Sequence, residues 1–205
     1  DGNGILAVAR DASGTLNLNG GTLSVFGFTK MNASATTIIN LDGGTLRSLG
    51  NAADWLNDLA NTTVNVGNGG AVIDNNGFAI TISEPLLNNG SGGLTKLGGG
   101  VLTLAGANTY VGDTVVSAGV LALTNGAAIA DTSTLKIESG AQVQVDTAET
   151  VQGLYLAGVL QVAGTWGSSA SGAANVNDTY FTGTEVLTVL NGATPNLTPT
   201  DITLA

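Results

Sequence analysis

With 205 residues, 5 basic against 15 acidic side chains and a net charge of −10, the chain lacks the clustered Lys and Arg that nucleic acids and anionic lipid surfaces require. It holds no Cys and no His, which excludes disulfides and the Ser-His, Cys-His and zinc arrangements of catalysis. Aromatics make up 4% while Gly numbers 31, a composition suited to a narrow coil with a thin aliphatic core and a tight turn at every rung.

The start, Asp1-Gly2-Asn3-Gly4, reads as mid-pattern and unlike a signal peptide, so the chain is expected to be a mature or trimmed piece of something longer. Strand-like Ile5-Leu6-Ala7-Val8 follows with no evident cap, and an uncapped rung is a template for another chain. A phrase of glycine, a small residue and alternating aliphatics then recurs. It appears as Gly14-Thr15-Leu16-Asn17-Leu18, Gly20-Gly21-Thr22-Leu23-Ser24-Val25, Gly43-Gly44-Thr45-Leu46 and Gly69-Gly70-Ala71-Val72-Ile73. It returns as Gly99-Gly100-Val101-Leu102-Thr103-Leu104, Ala118-Gly119-Val120-Leu121 and Ala157-Gly158-Val159-Leu160.

After the first, copies mostly sit ~17–27 residues apart, the scale of one turn of a stacked coil. Within each copy apolar and small polar residues alternate, which predicts short strands pairing with the turn above. The inward aliphatics are expected to be Leu23, Leu46, Val72, Leu102, Leu121, Val143 and Leu160.

Three segments depart from the pattern. Asn51 to Leu59 places Trp55, Leu56 and Leu59 at helical spacing, which predicts a short helix or turn on the side of the coil, with Trp55 plugging the core. Gly164 to Asp178 reads as a long polar loop, followed by Tyr180, Phe181 and a last strand, Val186–Val189. Trp166, Tyr180 and Phe181 are expected to form an aromatic cap over the final rung. Asn191 to Ala205, with Pro195 and Pro199, reads as a linker or tail in which Asp201-Ile202-Thr203-Leu204 forms one pairing strand. The division is therefore a coil over 1–163, a cap over 164–190 and a tail over 191–205.

The stretch from Gly92-Gly93-Leu94-Thr95-Lys96-Leu97-Gly98-Gly99-Gly100 through Asn108-Thr109-Tyr110 to Ala118-Gly119-Val120-Leu121 closely resembles the autotransporter-associated β-strand repeat. Gly69 to Ile82 looks like the rung that often precedes that repeat, and Gly164–Gly167 through Tyr180–Thr184 resembles the end piece of such arrays. The resemblance covers most of residues 14–190 and does not extend to the membrane β-barrel in which an autotransporter ends. It implies an all-β fold, a right-handed parallel β-helix, outside the cell or on a bacterial surface.

Parallel β-helices also host carbohydrate-active enzymes, which need two carboxylates about 5–9.5 Å apart across a sugar. Asp74, Asp113, Asp131, Glu138, Asp146 and Glu149 are scattered, and the basic residues Arg10, Lys30, Arg47, Lys96 and Lys136 are nowhere clustered. Asp1-Gly2-Asn3-Gly4 and Gly69–Asp74 lack the later ligands of a calcium loop. No catalytic, metal or cofactor residues are assigned. Asn17, Asn19, Asn40, Asn65, Asn75, Asn76, Asn88 and Asn89 are expected at rung corners, as stacked ladders or left-handed turns.

The expected role is a non-enzymatic extracellular stalk or fibre subunit that stacks head-to-tail with its own copies. One alternative is a surface adhesin that binds glycans or matrix through Thr, Ser and Asn faces. A second is a carbohydrate-active enzyme. Trp55 separates scaffold from adhesin: a buried indole favours the scaffold, an exposed one a saccharide platform.

Overall fold

The computed structural model describes residues 5–9, 13–30, 34–56 and 61–194; the expected tail strand, Asp201–Leu204, lies outside them. The strands begin with β1 (Ile5–Ala9), β2 (Gly14–Leu18), β3 (Thr22–Val25), β4 (Gly27–Lys30), β5 (Thr37–Leu41), β6 (Thr45–Ser48), β7 (Ala52–Leu56) and β8 (Thr62–Val66). They continue with β9 (Ala71–Asp74), β10 (Ile80–Ile82), β11 (Leu86–Asn88), β12 (Leu94–Leu97), β13 (Val101–Leu104), β14 (Thr114–Val116), β15 (Val120–Leu123) and β16 (Thr134–Ile137). The last are β17 (Gln142–Val145), β18 (Glu149–Val151), β19 (Gly153–Leu156), β20 (Val159–Leu160), β21 (Gly164–Gly167), β22 (Asn175–Val176), β23 (Phe181–Thr182) and β24 (Leu187–Val189).

Short strands separated by glycine turns cannot each bury a face alone, so they stack. The largest sheet runs β3-β6-β9-β12-β14-β16-β19-β20, a second β7-β10-β13-β15-β17-β23 and a third β2-β5-β8-β11. Every pair in these sheets is parallel except β19 with β20. The chain visits the sheets in rotation, and the result is an all-β parallel solenoid of about six turns.

Register builds continuous inward columns. One runs Leu23, Leu46, Ile73, Lys96, Val116, Ile137, Leu156, so successive turns take 23, 27, 23, 20, 21 and 19 residues. Another runs Ile80, Leu102, Leu121, Val143, Phe181. The turns shorten beyond β11, where the third sheet's stack ends.

Several expectations are corrected. Of the segment expected as a short helix or turn, Ala52–Leu56 is strand β7, paired with β10 across a bulge where Ala52 faces Ile80 and Leu56 faces Ile82, and Asn57–Leu59 lies outside the described residues. The bulge turns Trp55 and Leu56 both inward, which in sequence looks like helical spacing. The expected polar loop holds strands β21 and β22. Val72 is only partly buried and stacks outside between Thr45 and Thr95, because Ala71 and Ile73 take the inward places. A one-residue offset in the phrase flips its face.

Leu160 is 38% exposed. Ala157 and Gly158 have φ of 45° and 79°, a left-handed pair that folds the seventh copy back into an antiparallel hairpin instead of a rung. Leu46, Leu102, Leu121 and Val143 are fully buried, and Leu23, in register with Leu46, packs partly buried against the core.

Candidate functional site: outward ladders and two buried polar corners

Outside the third sheet, register aligns Asn17, Asn40 and Asn65. Asn40 Nδ2 donates to Asn17 Oδ1 at 2.7 Å, and Asn65 Nδ2 donates to Asn40 Oδ1 at 2.8 Å. The Asn ladder sits mid-strand, whereas Asn76 takes the left-handed conformation (φ 52°). The outer column of the largest sheet runs Thr22, Thr45, Val72, Thr95, Val115, Lys136, Tyr155. Near its end Lys136 pairs with Asp113 and lies 5.7 Å above the Tyr155 ring, and the hydrogen bond it donates to Asp113 raises the pKa of its amine. Arg47 Nε faces Asp74 Oδ2 at 3.4 Å, so both cations are countered locally.

The first buried corner centres on Lys96, which has no exposed surface although it stands between Ile73 and Val116 in an aliphatic column. Its stem fills that column while Nζ turns to the corner, donating to Gly98 O (2.7 Å), Ala118 O (2.8 Å), Leu97 O (3.3 Å) and Asn75 Oδ1 (3.3 Å). Burial pushes the amine down to about 8, partly offset by the Asp74 carboxylate. Asn75 is equally buried, and Asn76 donates to Ser48 O and accepts from Arg47 Nη2.

The second corner replaces the third sheet above β11. Asn108, 4% exposed, takes the Leu86 N–H on Oδ1 (2.8 Å) and donates Nδ2 to Ala128 O (2.7 Å), stitching three turns. Glu149, 2% exposed, accepts from Ala128 N (2.9 Å), Ile129 N (3.4 Å) and Thr150 N (3.2 Å). Burial outweighs those amides and raises its carboxyl to about 7. Tyr110 is fully buried, bonded to Thr114 Oγ1 at 2.7 Å, and burial raises its phenol.

Beside the second corner the Asp131 carboxylate adds to the upward push on Glu149. Asp146 and Glu149 are close in sequence, yet Asp146 is exposed and accepts from Gln144, while Glu149 is committed to three backbone amides. Among the described residues no group of three or more His, Cys, Asp or Glu converges for a metal.

Trp55 is fully buried, edge-on to Phe28 at 6.3 Å between centroids, its indole N–H directed at Val25 O (3.4 Å). Trp166 is 8% exposed and donates to Val162 O at 3.0 Å, Tyr180 packs half-buried on the core, and Phe181 ends the Leu102 column.

Sequence reading missed Lys96 and Glu149 as inward groups, although the signal was present. Period two puts Lys96 on the face of Leu94, and Glu149 on the face of Val151.

Residues 94–123 match the family described as passenger-associated-transport-repeat. A stretch of 126 residues, 61% of this chain, is 33% identical to the adhesin BmaC autotransporter of Brucella suis biovar 1 (strain 1330) and spans 3% of that protein's length. No solved structure matches the chain.

Proposed function

Because the chain is an autotransporter-associated β-strand repeat protein, we propose that it serves outside the cell as a non-enzymatic structural segment, a short length of β-helical stalk. The observation that carries this reading is the unbroken stack of inward columns, with Trp55 sealed inside and unavailable to a saccharide. Ladder bonds and aliphatic contact repeat from turn to turn, so load is shared along the axis without metal or disulfide. Trp166, Tyr180 and Phe181 serve as the cap of the final turn.

A second reading is adhesion, favoured by the similarity to an adhesin and by the outward Asn ladder, a polar row suited to glycan hydroxyls. Head-to-tail filaments are the third. They need a parallel strand edge at both ends, and β20 runs antiparallel with Gln161 Nε2 occupying the Val159 carbonyl at 2.7 Å. That arrangement ranks filaments last.

Electron microscopy across a dilution series tests the order. Isolated short particles at every concentration support the stalk segment, and regular filaments one coil wide support self-assembly. A glycan array then separates stalk from adhesin: binding lost in Asn40→Ala transfers the role to the ladder face.

A further inference from the structure

The Lys96 corner brings an amine, a carboxamide and a carboxylate together inside a chain that has no Cys to cross-link it. Lys96 and Asn75 are both fully buried on adjacent turns, with Nζ 3.3 Å from Asn75 Oδ1. The Asp74 carboxylate lies against the same corner. Its Oδ1 accepts from Asn76 N at 2.8 Å, and a Cβ on Gly98 would strike both that oxygen and Asn75 Oδ1. Gly98 can stand so close because it has no Cβ and holds φ at 82°.

We propose that Lys96 and Asn75 form an intramolecular amide cross-link that ties one turn of the solenoid to the next. The neutral amine donates its lone pair to the Asn75 carboxamide carbon. The Nζ–Cγ bond forms, the Cγ–Nδ2 bond breaks, and the amide nitrogen leaves as ammonia with one proton taken from Nζ. Asp74, whose Oδ2 lies 3.4 Å from Arg47 Nε, carries that proton from Nζ to the leaving nitrogen. No oxidant, reductant or further reactant enters.

Three features support the step. Burial lowers the amine to about 8, so the neutral nucleophile is accessible near neutral pH. Lys96 lies within β12 and Asn75 directly follows β9, so the pair is in contact before reaction, which converts an intermolecular encounter into an internal one. The product keeps one N–H, for which the Gly98 and Ala118 carbonyls already stand at 2.7 and 2.8 Å. Closing a loop across 21 residues restricts the unfolded chain as a disulfide of that span does. This inference does not depend on what the outer faces bind.

The test is the intact mass of the purified, denatured chain, followed by peptide mapping. The expected result is a protein one ammonia lighter than its sequence, with a branched peptide joining positions 75 and 96. Lys96→Arg restores the full sequence mass, and so does Asp74→Asn if the carboxylate relays the proton. The full sequence mass in the wild-type chain overturns the proposal. So does a lost ammonia that maps to a succinimide at Asn76-Gly77 and survives in Lys96→Arg. A branched peptide that still forms in Asp74→Asn overturns the relay assigned to that carboxylate.

Discussion

At the scale of the residue, a thin core makes each inward side chain matter. Leu102 is fully buried between Ile80 and Leu121, with no second layer behind it to relax into a void. Leu102→Ala is expected to cost about 2–5 kcal/mol, and Leu102→Asp several more by burying an unpaired charge. Denaturant titration checks both, and unchanged stability would remove Leu102 from the core column. Glu149 sets a pH dependence. Its carboxyl holds its proton up to about 7 in the fold against 4.5 in the unfolded chain, so the folded state binds the extra proton between those values. That contribution is fully present below 4.5 and is lost as pH rises through 7. Melting temperature measured across this window should fall toward neutrality through this residue, and Glu149→Gln should flatten the change.

At the scale of the element, the glycine pairs divide into two kinds. A Cβ on Gly93 would run into the Asp113 carbonyl oxygen of the next turn, so this corner closes only with hydrogen there. Gly99 meets nothing within 4 Å and has no left-handed backbone. Gly93→Ala is expected to destabilise by about 1–3 kcal/mol, while Gly99→Ala is neutral or stabilising by a few tenths. Paired thermal melts decide it: equal effects would mean the corners are not the tight point. The hairpin at β20 shows the same vocabulary used differently. Ala118-Gly119-Val120-Leu121 makes a rung, whereas Ala157-Gly158-Val159-Leu160 turns back because both of its first residues are left-handed.

At the scale of the whole molecule, parallel stacking couples each turn only to its neighbours, so length can grow without new kinds of contact. The largest sheet holds seven parallel strands before β20, which at ~4.8 Å per strand makes a stack of about 29 Å. Such a length fits the proposed stalk segment. At its far end reversed strands, β20 against β19 and β21 against β24, stand beside the parallel β23 on β17. A parallel sheet continues only through another parallel strand in register, so sedimentation should report one size at every concentration. A coefficient that climbs with concentration would show that the ends do pair.

The repeat of glycine and alternating aliphatics determined, by sequence alone, that the chain is all-β, coiled and aliphatic inside, because period two and punctual turns are local properties. Leu46, Leu102, Leu121 and Val143 were legible for that reason. Only tertiary structure decided the rest. Whether Val72 or Ile73 faces inward depends on register against Leu46, and whether 157–160 is a rung or a hairpin depends on what remains to pair above β19. Likewise Lys96 and Glu149 look like surface charges until neighbouring turns supply partners, Ala118 O and Asn75 Oδ1 to Lys96 and the Ala128 and Ile129 amides to Glu149. Those partners come from about one turn away along the chain, a distance that no local pattern encodes.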